Sequence, residues 1–102
     1  MKPLATEYRK NGYNYKLVRR TAYAAMFSQH NDEGKLVSYE VGRVKSDNGG
    51  TFAGVTIEPG ERFWSNEDFG VIAKTTPSRE MADIYFREFD IAGVEAANKV
   101  NA

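Results

Sequence analysis

The sequence predicts an α+β domain: an antiparallel sheet of three or four strands with a C-terminal helix packed on one face. Three observations point there. Residues 13–45 hold three runs rich in β-branched and aromatic residues, divided by short polar breaks. Residues 76–100 open with a helix-start signal and continue with apolar residues at three- and four-residue spacing. The 102 residues fit one domain, 1–102, of ordinary globular composition, with 41% hydrophobic and 13% aromatic content.

Tyr15 to Arg20 reads as the first strand, with Tyr13 at its start. Alternation puts Tyr15, Leu17 and Arg19 on one side and Lys16, Val18 and Arg20 on the other. After Thr21-Ala22, the run Tyr23 to Gln29 alternates Tyr23, Ala25 and Phe27 with Ala24, Met26 and Ser28. The polar stretch His30 to Lys35, with Gly34 near its end, has the chemistry of a hairpin loop. Leu36 to Val44 is the third strand, with Val37, Tyr39 and Val41 opposed to Ser38 and Glu40. Residues 1–12 form an N-terminal arm, and 13–45 a β-meander.

Residues 46–75 read as an irregular loop with short strands. Ser46 to Gly50 breaks the chain, Thr51 to Ile57 is a strand weakened by Gly54, Pro59-Gly60 is a turn, and Val71 to Lys74 is a short edge strand. The helix is expected to start with Thr76 as N-cap and Pro77 at the first helical position. Ala82, Tyr85, Phe86 and Phe89 then make the stripe that lies on the sheet. Gly93 is a weak point of the helix.

Absent residue types exclude several chemistries. With no cysteine there is no disulfide, thiolate metal site or cysteine nucleophile, and a cytoplasmic setting is expected. The start, Met1 to Glu7, leads into no apolar run, so neither a signal peptide nor a membrane partner is expected. His30 is the only histidine and has no second ligand or base at a useful spacing. Glu58, Glu61, Glu67 and Asp68 are paired only by adjacency. Ser65 and Ser78 lack a nucleophile elbow, and Gly49-Gly50 lacks the lysine of a phosphate loop. The expectation is a protein that is not an enzyme and carries no cofactor or metal.

Two surfaces compete as binding sites. Residues 58–70 set Phe63, Trp64 and Phe69 in a polar loop, and Arg62, Phe63, Trp64 and Asn66 are the candidate contacts to a protein partner. The opposing reading folds the same rings inward to close the core. The second surface is basic and aromatic. Residues 1–45 carry a balance of +5 and residues 46–102 a balance of −5. Arg9, Lys10, Lys16, Arg19 and Arg20, interleaved with tyrosines, would suit nucleic acid, where cations follow phosphates and rings stack on bases. A third reading is a homo-oligomer joined through edge strands.

A short N-terminal arm, the Tyr15–Leu17–Val18 and Val37–Tyr39–Glu40–Val41 strands, Trp64…Asn66…Phe69-Gly70 and the Thr76-Pro77-led terminal helix make a recurrent style. Over residues 13–90 the chain resembles small accessory proteins of phages and mobile elements. That resemblance implies a protein that occupies a surface, as host-defence inhibitors and virion or assembly components do, in the host cytoplasm or in the virion. It assigns no residue a role. The leading expectation is therefore a non-enzymatic protein-binding module, with nucleic-acid binding as the alternative.

Overall fold

The computed structural model describes residues 3–47 and 49–100. Five strands form one antiparallel sheet, β1 (Glu7–Lys10), β2 (Tyr13–Arg20), β3 (Ala24–His30), β4 (Leu36–Arg43) and β9 (Ala73–Thr76), in that spatial order. Between β4 and β9 come β5 (Lys45–Asp47), β6 (Gly50–Phe52), β7 (Val55–Ile57) and β8 (Gly60–Arg62), then a 3₁₀ turn at Asn66–Asp68. The helix α1 (Arg79–Val100) follows and lies across β3, β4 and β9.

The sheet is apolar on both faces. Towards α1 it presents Ala24, Met26 and Val41 to Ala82, Phe86 and Phe89, the stripe expected from helical spacing. On the other face Tyr15, Ala25 and Phe27 pack with Leu4, Ala73 and Trp64. The result is three layers: helix, sheet, and a lid made from the N-terminal segment and residues 63–69. Tyr8 stacks on Tyr15 with centroids 4.6 Å apart and lies 4.3 Å from Phe63, so the aromatic cluster reaches from the sheet into the lid.

The structure revises several local expectations. Residues 7–10 of the expected arm are strand β1, joined to β2 by a two-residue hairpin at Asn11-Gly12. Both turn residues have positive φ, 53° and 85°, the geometry that asparagine and glycine adopt most readily. In β2 the register against β3 shifts between Leu17 and Arg19. That bulge turns Val18 and Arg19 both towards α1 and leaves Arg20 on the lid face, reversing the alternation read for the two arginines. Tyr23 stands outside β3 and seats on Gly93, where an added Cβ would collide with the tyrosine. Gly93 is thus a buried packing seat in an uninterrupted helix.

The helix begins later than expected. Thr76 pairs with Tyr39 as the last residue of β9, so the chain is still extended there. Ser78 is the cap instead, its Oγ accepting from the Met81 N–H at 3.2 Å, while Thr76 Oγ1 accepts from the Ser78 N–H at 3.1 Å.

Residues 45–62 are more regular than the loop expected there. Lys45 pairs with Arg62, Ser46 with Glu61 and Asp47 with Gly60. Beyond them Gly50 pairs with Ile57, Thr51 with Thr56 and Phe52 with Val55. This is one long hairpin, a β-arm running out from the end of β4. The expected break at 46–50 is half strand, with Asn48 outside the described residues, and Gly60 belongs to a strand as well.

Candidate functional site

The chain 58–70 folds inward. Arg62 ends β8 with an exposed side chain whose guanidinium donates to the Glu58 carbonyl at 3.4 Å. Phe63 is half-buried, and Trp64, at 3% exposure, lies under the sheet. The indole N–H donates to Glu40 Oε1 at 2.9 Å, and the ring lies flat against Gly42. Asn66 opens the 3₁₀ turn, and its side chain lies outside the described residues. Of the four expected contact residues, Trp64 is core and Phe63 largely so. The reason is lid formation: the open face of the sheet has to be covered, and these rings cover it.

The turn that follows is held by Asp68. Its carboxylate accepts from the Ser65 N–H at 2.7 Å and from Lys45 Nζ at 3.2 Å. The Ser65 N–H, and after it Lys45, hold the Asp68 carboxyl below its ordinary range.

The five basic residues do not form one surface. Arg9 pairs with Asp32 at 2.8 Å and reaches Asn14. Arg19 lies 4.2 Å over the Phe86 ring and contacts Asp83 at 3.3 Å. Arg20 makes a two-pronged pair with Glu61, both bonds 2.7 Å. Lys16 pairs in register with Glu7 and is exposed, whereas Lys10 is half-buried on the lid face. Three of the five cations are thus held by carboxylates of this chain, and the set is divided between the two faces of the sheet.

The Arg20–Glu61 pair anchors the root of the β-arm, and the Leu4 N–H also donates to Glu61, at 3.0 Å. The Arg20 hydrogen bonds lower the pKa of Glu61 from its ordinary 4.5. A carboxylate with a lowered folded-state pKa stabilises the fold above its unfolded pKa, and that contribution is lost as pH falls through the folded value. Glu61→Gln should therefore cost about 2–3 kcal/mol at neutral pH, below the full figure for a buried pair because both side chains keep some exposure. The deficit should shrink as pH drops below 4.5 and Glu61 itself protonates. Urea unfolding of both proteins at pH 7 and pH 3 measures it.

Two polar groupings were missed in reading the sequence. Ser28 Oγ lies 2.8 Å from His30 Nε2, and His30 Nδ1 lies 3.3 Å from the Gly34 carbonyl. Their strand spacing of two puts both on one face, a signal the sequence did carry. Ser28 is 9% exposed, with its hydroxyl also 3.3 Å from the Lys16 carbonyl, an arrangement that ties the loop end of β3 to its neighbours. The second grouping is centred on Glu40, which is 6% exposed beneath Trp64. Burial, followed by the nearby Glu40 carboxylate, pushes the Tyr15 phenol up to about 12.

The outer β-arm differs from the rest of the surface. From Gly50 to Ile57 no residue is charged, and Val55 is 62% exposed. β6 and β7 pack mainly on each other, so this end stands off the sheet and helix. Its turn places Ala53 at φ 52° and Gly54 at φ 80°. Alanine in that conformation costs about 1–2 kcal/mol, which asparagine or glycine would largely avoid.

Among the described residues no group of three or more His, Cys, Asp or Glu is placed to hold a metal ion, and no helix is long and apolar enough to cross a membrane. Set against family models, curated proteins and solved structures, the chain matches none.

Proposed function

We propose that this protein is a non-enzymatic protein-binding module whose contact element is the outer β-arm, residues 50–57. One observation carries the reading: an uncharged two-stranded ribbon stands away from the body with Val55 in solvent. Exposed ribbon edges invite pairing with another chain, and proteins that avoid such pairing place charges, prolines or bulges along them. No charge or proline occurs from 50 to 57. The strained Ala53 supports the same reading, since it keeps an apolar tip where a polar turn residue would be easier to fold. Recognition would be strand addition, with main-chain hydrogen bonds giving affinity and alternate side chains giving selectivity. The finer reading, an accessory protein that inhibits a host defence or joins a virion, rests on the stylistic resemblance alone.

The test is affinity capture from source-cell lysate with wild type and Val55→Lys, each with and without nuclease. A protein that wild type captures despite nuclease, and that Val55→Lys loses while its circular dichroism is unchanged, supports the arm. Capture equal for both proteins removes it. Capture abolished by nuclease transfers the function to the basic residues Arg9, Lys10, Lys16, Arg19 and Arg20.

A further inference from the structure

The lid face holds a buried carboxylate without a counter-charge. Glu40 sits in β4, paired in register with Phe27 on one side and Thr75 on the other. Its hydrogen-bond donor is neutral, the Trp64 indole N–H at 2.9 Å, and the neighbouring Tyr15 hydroxyl accepts from the Gln29 amide at 2.9 Å. Among the described residues no lysine or arginine nitrogen is within ion-pair distance of it. Burying an ionised carboxylate is costly, and one neutral hydrogen bond offsets only part of that cost.

Beside this carboxylate opens a cleft of about 320 Å³, bounded by Tyr13, Tyr15, Gln29, Phe69 and Thr75, with Lys10 at its wall and Glu40 in its lining. We infer that this cleft binds an organic monocation, a primary ammonium or guanidinium head on a short alkyl stem, with Glu40 as its counter-charge. The volume lies at the lower end of small-ligand sites. Glu40 accepts the head group's N–H donors in a charge-assisted bond. The Gln29 amide oxygen, opposite the nitrogen that serves Tyr15, is a second acceptor. The Tyr13 and Phe69 rings flank the site and favour a cation over an anion. A hard divalent ion would require several oxygen ligands, and no acidic or histidine cluster stands here among the described residues. Lys10 is the one like charge in the wall, so it opposes the ligand. The same head group arrives on a free amine or on a lysine or arginine side chain of another protein.

Trp64 is the only tryptophan and its N–H touches Glu40, so its indole resonance in ¹⁵N-labelled protein is a direct reporter. The probes are n-butylammonium and n-butylguanidinium chloride, Nα-acetyl-lysine amide for the side-chain source, n-butanol as neutral control, and sodium chloride at matched ionic strength. Expected is a saturable indole shift with the cations and none with butanol or salt. Stronger binding of the lysine amide than of butylammonium would assign the cation to a protein side chain, and the reverse order to a free amine. Lys10→Gln should tighten binding. Thr75→Lys, at an exposed position paired with Glu40, should supply an internal cation and weaken binding by about tenfold or more, the loss of one charge-assisted bond. Glu40→Gln should abolish binding, and the two surface variants carry the test if that protein fails to fold. No saturable shift with any cation, an equal shift with butanol, or affinity unchanged by Thr75→Lys would overturn the assignment.

Discussion

Trp64→Ala is expected to cost about 3–5 kcal/mol, the range for deleting a buried aromatic side chain. Two losses combine. The indole is 3% exposed and packs edge-on to Phe27 and Phe63, with centroids 6.1 Å and 6.2 Å away, so its removal leaves a void bordered by rings that other contacts hold in place. It also removes the indole N–H that donates to the buried Glu40 carboxylate. Trp64→Phe separates these terms. It keeps most of the apolar area and forfeits the N–H, and should cost about 1.5–3 kcal/mol, the range for a hydrogen bond to a charged group. Against a total stability of roughly 5–15 kcal/mol, the alanine variant should be close to unfolded at 37 °C. Thermal and urea unfolding followed by circular dichroism give both numbers. A cost below about 1 kcal/mol for Trp64→Ala would mean that the lid is not part of the cooperative fold.

The same residue marks where the sequence stopped being legible. Alternation in β4 correctly sets Ser38 and Glu40 against Val37, Tyr39 and Val41, yet it cannot say that the Ser38–Glu40 face is dry. That face is covered by residues more than twenty positions away, and a long-range covering leaves no local period. Strands β2, β3 and β4 and the helix stripe were readable because each buries a regular face. Strands of three residues around Gly49, Gly50 and Gly54 carry too few positions to establish a period, so the β-arm read as a loop with one strand, Thr51 to Ile57, where the chain instead turns back at Ala53-Gly54. The first hairpin is different. Asn11-Gly12 between Tyr8 and Tyr13 is a strong local turn signal, and it was available. The bulge in β2 has no such marker: Val18-Arg19-Arg20 contains neither glycine nor proline, and only pairing with β3 decides which side chains turn. For the binding surface, ring content singled out 58–70, but composition cannot distinguish a lid's inner face from an exposed contact.

Gly42→Ala tests whether the lid is fitted to the sheet at close range. Local rules favour the substitution, because alanine in place of a glycine at an ordinary strand φ restricts the unfolded chain and gains about 0.4–1 kcal/mol. Packing opposes it. A Cβ on residue 42 would stand 2.7 Å and 2.8 Å from Trp64 Cε3 and Cδ2, and 2.9 Å from the Ile72 carbonyl oxygen. Neither neighbour is free to retreat. The indole is held by Glu40 and its ring contacts, and the carbonyl accepts from the Arg43 N–H at 2.8 Å. Overpacking of this kind costs about 1–3 kcal/mol, and with two rigid neighbours the upper end applies, so a net loss of about 2 kcal/mol is expected. The double variant Gly42→Ala/Trp64→Ala provides the internal check. With the indole gone the added methyl meets open space on that side, so the double should be less destabilised than the sum of the singles by 1 kcal/mol or more, on the order of coupling between residues in contact. Additive costs would mean that Gly42 is not the seat of the indole, and that whatever penalty alanine carries arises from the Ile72 carbonyl alone.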